Sequence, residues 1–269
     1  MYVTEAAATN SGTGVSSTAL SSTALRTVPT QLSVTSPTGS SASSPRARWA
    51  IRACAGAGGA AVVACMSALV ILHLLPATDG LNPISEPVSA YALTADGALF
   101  DWAIVATAAG LGAILAALIL DRRADRTLTG ALVIVALLPF LSALGLIALV
   151  VFPDVTTTHG FTPVGRAHWI ATMIAFGVMP MVPLRMYFRH RGLSGCTRVS
   201  TLCGCSAAAA LGCFATLFVG NVIAFATGLP LWRVGGLVER MLIATELTAA
   251  GFVALWTWRG CACARPGRS

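Results

Sequence analysis

Glu246 is a residue that ordinary packing does not easily explain. It stands near the middle of an apolar run over 237–258, seven residues after Glu239 and so on the same helical face. An ionisable side chain in such a setting is costly and faces a partner or a cavity. It can be protonated, or paired with a hydroxyl or with Asn221. Its plainest role is that of a neutral, hydrogen-bonded packing residue. Three further groups have side chains able to do chemistry. A Pro-rich segment over 75–91 carries Asp79, Glu86, Ser89 and Tyr91. A second segment carries Asp154, His159 and His168, which could bind a divalent metal or relay a proton. Two histidines without fixed helical spacing leave a metal undetermined, and a hydrogen-bonded cap between neighbouring apolar runs explains them equally well. The third group is Glu239 and Arg240, where Glu239 suits the positive end of a helix dipole. His73 and His168 are placed at similar depth and could in principle ligate haem, but nothing else supports it. No cofactor is expected.

These groups need elements to hold them. The chain of 269 residues is 56% hydrophobic and 10% charged, with a mean hydropathy of +0.79. Soluble domains carry about 25% charged residues, so this chain cannot cover a water-facing surface. Six apolar runs, over 53–75, 102–120, 128–152, 167–188, 199–226 and 237–258, each approach the roughly 20 residues that span a bilayer. No strand-period alternation competes with them. The fold class expected is all-α, an integral membrane bundle of six transmembrane helices over 49–260. A disordered Ser/Thr/Ala-rich tail precedes it over 1–48, and a short tail follows over 261–269. Residues 1–45 hold 20 serines and threonines and too few large apolar side chains to offset chain entropy.

The basic residues orient the bundle. All 17 are arginine, and 14 of them fall in the two termini and in alternate connections, around Arg52, Arg122, Arg189 and Arg259. Only Arg166, Arg233 and Arg240 lie on the other side. The arginine-rich side is cytoplasmic by the positive-inside rule, so both termini are expected in the cytoplasm and the protein in the plasma membrane. The three polar groups then share the outer face. The net charge of +7 is a topology signal rather than a nucleic-acid footprint; membrane lipid is the expected partner, and nucleic acid is not. The lack of lysine and the alanine richness suggest a GC-rich bacterial genome.

Local devices refine the helices. Gly204, Ala208, Gly212, Thr216, Gly220 and Ala224 recur every four residues in the fifth run and make a ridge of small side chains. The ridge reads as a packing seam within the subunit, or as a homo-oligomer interface. Pro139, and Pro180 with Pro183, should bend the third and fourth helices. The eight cysteines include Cys203/Cys205 and Cys261/Cys263, which lack the two-residue spacer of redox or zinc motifs. None is expected in an outward loop, which argues against a disulfide framework. Tyr91 is expected at headgroup level, at the end of a short interfacial helix.

The outward motifs, in their order, carry a family resemblance. They are Glu86-Pro87-Val88-Ser89-Ala90-Tyr91, then Phe152-Pro153-Asp154, then Pro163, Gly165 and His168, then Glu239-Arg240. Together they resemble the prokaryotic six-helix membrane proteins grouped as domain of unknown function 998, over roughly 50–260. The resemblance implies the helical membrane fold and an outward polar cluster, and no reaction.

Three function classes stay open. One is a membrane protein binding a lipid, small molecule or partner at the outer cluster. Another is a membrane-embedded, metal-dependent hydrolase using Ser89, Asp154, His159 and His168. The last is a small proton-linked transporter using Glu246. No convincing internal repeat joins 53–152 to 167–258.

Overall fold

A computed structural model describes residues 44–123, 129–153, 156–157, 160–191, 197–227 and 234–259. Of the disordered tail expected over 1–48, residues 1–43 lie outside the described residues, as do 260–269, while 45–48 are helical because Ser44 and Pro45 start α1 ahead of the apolar run. Seven α-helices follow: α1 Pro45–Leu74, α2 Gly97–Arg123, α3 Thr129–Val151, α4 Pro163–Val178, α5 Met181–His190, α6 Thr197–Thr227 and α7 Gly235–Arg259. Two 3-10 turns, Pro76–Thr78 and Val88–Leu93, fall between α1 and α2. A two-residue ladder, β1 Thr156–Thr157 against β2 Gly160–Phe161, lies between α3 and α4.

The helix ends follow local chemistry. Ser44 accepts a hydrogen bond from Ala47 N–H at 3.2 Å, with Pro45 in the first turn, so α1 begins ahead of the apolar run itself. Thr162 caps α4 in the same way, accepting from Gly165 N–H at 3.0 Å with Pro163 behind it. Five stretches are long and apolar enough to cross a membrane: Pro45–Leu74, Gly97–Asp121, Pro163–His190, Arg198–Ile223 and Gly235–Arg259. The third expected span coincides with α3, of which the stretch Leu137–Val151 adds a shorter apolar segment. These helices make a multi-pass membrane protein.

The fourth expected helix is not one helix. It breaks at Met179–Pro180 into α4 and α5. Pro180 and Pro183 have no N–H, so the carbonyls of Phe176 and Met179 lose their helical donors. Ser142 of α3 steps in beside the break, its hydroxyl donating to Ala175 O at 2.6 Å. Two nearby prolines therefore interrupt the helix where a bend was expected.

Packing is densest between α1 and α2, with α7 closing against α1 and α6. Glycines set the close approaches. A Cβ on Gly58 would lie 2.9 Å from Gly110 O, and one on Gly145 would lie 2.8 Å from Ala175 N and 3.0 Å from Ala171 O. The small-residue ridge of α6 behaves differently. Gly204 packs beneath Tyr187 and Gly220 is buried, but Ala208, Gly212 and Thr216 are exposed, and nothing lies near a Cβ built on Gly212. The ridge is a seam within the subunit only at its ends, because no described helix covers its middle. Cys54, Cys65, Cys203, Cys205 and Cys213 are free thiols, while Cys196, Cys261 and Cys263 lie outside the described residues.

The α3–α4 approach can be tested with a matched pair. Gly145→Ala should destabilise the protein by about 1–3 kcal/mol, since backbone atoms cannot yield to the new methyl. Gly112→Ala, on an exposed face of α2 with nothing within 4 Å, should be neutral or stabilising by up to about 1 kcal/mol. Thermal unfolding in detergent compares the two.

Candidate functional site

The first turns of α7 grip the segment that connects α1 to α2. Leu237 N–H donates to Ile84 O at 2.9 Å, and Val88 N–H donates to a Glu239 carboxylate oxygen at 2.9 Å. Gly236 permits this contact, because a Cβ there would run into the carbonyl of Glu86. The carboxylate of Glu239 thus orders the start of the Val88–Leu93 turn, in addition to suiting the helix dipole.

Arg240 is the hub of the grip. Its Nε–H donates to His73 Nε2 at 2.8 Å, one terminal nitrogen donates to Glu86 O at 2.8 Å and Gly236 O at 3.0 Å, and the other donates to Tyr91 Oη at 3.0 Å. A guanidinium has five N–H donors, and four are used here. The guanidinium also stands 5.5 Å from the centre of the Tyr91 ring. His73 contributes in a defined tautomer. Its Nδ1 lies 2.7 Å from Leu69 O, which can only accept, so Nδ1 carries the hydrogen and Nε2 offers a lone pair to Arg240. His73 and Tyr91 meet edge to face at 5.1 Å.

Structure and expectation agree in part. Glu86, Tyr91, Glu239 and Arg240 come together, Glu86 through its backbone. Tyr91 is not a headgroup anchor, for it is 2% exposed under the guanidinium. Ser89 is buried in the same turn and Asp79 is exposed on the preceding connection. His73, singled out only for haem, is the missing member of the cluster. His168 lies elsewhere, buried, with Nδ1 donating to Phe152 O at 2.7 Å and so finishing the end of α3. Asp154 and His159 lie outside the described residues. Among the described residues no three His, Cys, Asp or Glu side chains gather to hold a metal ion.

Glu246 presents the opposite situation. It is 1% exposed, halfway along α7, and among the described residues neither carboxyl oxygen has a hydrogen-bond partner. Asn221 does not supply one; its side-chain N–H bonds Leu217 O within α6. Glu246 lines a small chamber with Cys65 of α1, Thr107 of α2, Leu146 of α3, and Phe176 and Met179 beside the α4–α5 break, and the surface open to the chamber is apolar. The room for the centre of a water molecule is about 20 Å³. Thr107 donates its hydroxyl hydrogen to Ala103 O at 2.8 Å, which leaves oxygen lone pairs to accept.

The two sites have different chemistry. The Arg240 cluster is bound up with the protein's own groups and acts as a fastening. The Glu246 chamber holds an acid with unmet hydrogen-bonding capacity. The family described as Protein of unknown function (DUF998) matches residues 59–256. No curated protein and no solved structure matches the chain.

If Arg240 is a fastening, its loss should loosen the α1–α2 connection. Arg240→Lys keeps the charge but not the fork, and is expected to cost about 2–3 kcal/mol, against about 1 kcal/mol for Tyr91→Phe. Thermal unfolding gives the order, and limited proteolysis within 75–96 should accelerate in the arginine variant. Equal stability of Arg240→Lys and the parent would refute the assignment.

Proposed function

We propose that this chain, which belongs to the DUF998 family, is a six-span plasma-membrane protein that binds and releases a proton at Glu246, as a small proton-linked transporter does. The observation that carries the reading is the pair of buried, unpartnered carboxyl oxygens at mid-helix, on a residue that borders a small chamber. A bare carboxylate at the centre of a membrane helix costs about 3 kcal/mol or more. The carboxyl therefore needs a proton or a small cation, and the chamber admits little else. The broken α4–α5 helix beside it supports the reading, since interrupted helices line substrate and ion sites in transporters.

Binding at the outer face is the weaker reading, because the Arg240 cluster spends four of its five donors on the protein itself. Hydrolysis has the least support, since His168 turns its Nδ1 to a backbone carbonyl. The arginine distribution supports a cytoplasmic placement of both termini. Lipid is the proposed partner around the bundle, and the exposed small face of α6 suits a second copy.

Infrared spectroscopy of the parent protein in bilayers should show a carboxylic acid band that is absent from Glu246→Gln, with Glu246→Gln unfolding within a few degrees of the parent. Proteoliposomes carrying the parent should move protons across the membrane faster than those carrying Glu246→Gln. Absence of a Glu246 acid band in the parent, or equal proton movement by the two, would sink the proposal.

A further inference from the structure

We propose that His73 is an acid-operated latch: a proton taken up at Nε2 breaks its bond to Arg240 and loosens the connection between α1 and α2. Glu246 plays no part in it. The imidazole stands between two groups of fixed character. Leu69 O, 2.7 Å from Nδ1, can only accept. Arg240 Nε, 2.8 Å from Nε2, can only donate. One form of the ring satisfies both, the neutral one with its hydrogen on Nδ1. A second proton has to go to Nε2, the nitrogen that already accepts from Arg240. An N–H would then face an N–H, and two cations would stand 2.8 Å apart. The proton that makes the imidazolium thus also removes the acceptor.

The rest of the cluster decides what gives way. His73 is tied to its own helix through Leu69 O, whereas Arg240 is tied to Glu86 O, Gly236 O and Tyr91 Oη. The two cations therefore part across Tyr91, whose ring meets His73 edge to face at 5.1 Å and lies 5.5 Å below the guanidinium. Tyr91 is 2% exposed, so parting uncovers it. The ionisable neighbours are Arg240 and Glu239 from α7, Tyr91 from the Val88–Leu93 turn, and Glu86 from the connection. Glu239 gives a carboxylate oxygen to Val88 N–H, and Glu86 reaches Arg240 through its backbone. His73 is exposed one residue before α1 ends, so a proton can reach it without crossing the core. The closed latch holds one proton fewer than the open one. Closure is therefore favoured as pH rises and lost as pH falls, across the range of about pH 5 to 8 where histidine changes charge.

Hydrogen–deuterium exchange over 75–96, on the full-length protein in lipid nanodiscs, tests the latch. The parent is compared with His73→Gln at the same pH, so the intrinsic pH dependence of exchange cancels. Glutamine offers Arg240 an acceptor and takes no proton. The two should exchange within about twofold of each other at about pH 8, and the parent should be about tenfold the faster at about pH 5. His73→Phe keeps a ring against Tyr91 but has no acceptor. It should exchange about tenfold faster than the parent at about pH 8 and match it at about pH 5, and this pair carries the test if His73→Gln does not fold. A parent-to-variant ratio that stays constant from about pH 8 to 5 in both pairs would overturn the inference. So would equal acid acceleration of α3 and α4 in the parent, since the response would then belong to the whole bundle.

Discussion

The absence of water inside a bilayer governs this protein. Every polar group carried into the helices must find a partner there, and the backbone does so by being helical. Side chains follow the same demand. Thr107, Thr257 and Ser142 are buried hydroxyls that each donate to a backbone carbonyl. Arg240 satisfies it with four bonds to groups from α1, the first connection and α7 itself. Among the described residues Arg185 Nε, Ser200 Oγ and Trp256 Nε1 are buried without a partner, and so are both oxygens of Glu246, the one carboxyl in that set.

The two sites divide the labour of the bundle. Where α7 begins, charge is used to hold: an arginine, a histidine, a tyrosine and a glutamate join the first helix to the last. At mid-helix in α7 a carboxyl is left without a partner. Leu72, Val88, Tyr91 and Leu242 are all buried in the same core. The break at Met179–Pro180 borders the chamber that Glu246 lines.

Much of this was legible in the sequence and some was not. All six apolar runs became helical, because hydropathy over about 20 residues is a local signal. The order of the outward motifs marked the family. Glu246 was legible as a site because a carboxyl in an apolar run is conspicuous. Its chamber was not, since the walls come from α1, α2, α3 and α4 and consist of residues ordinary in any membrane helix. The Arg240 cluster was only half visible. Its members lie 149 and 167 residues apart, and nothing local says that His73 accepts from an arginine or that Tyr91 turns inward beneath it. The α6 ridge misled in part, because a repeat of small residues shows that a close approach is possible without naming the helix that makes it.

The grip of α7 on the first connection also orders events in time. His73 and Arg240 are separated by 167 residues, which a ribosome takes roughly 10–30 s to traverse at 5–20 residues per second. Until the last helix is made, the connection between α1 and α2 has neither Glu239 to order its turn nor Arg240 to cover Tyr91. A chain that stops short of α7 lacks Glu239 and Arg240 and so cannot close the first connection in this way.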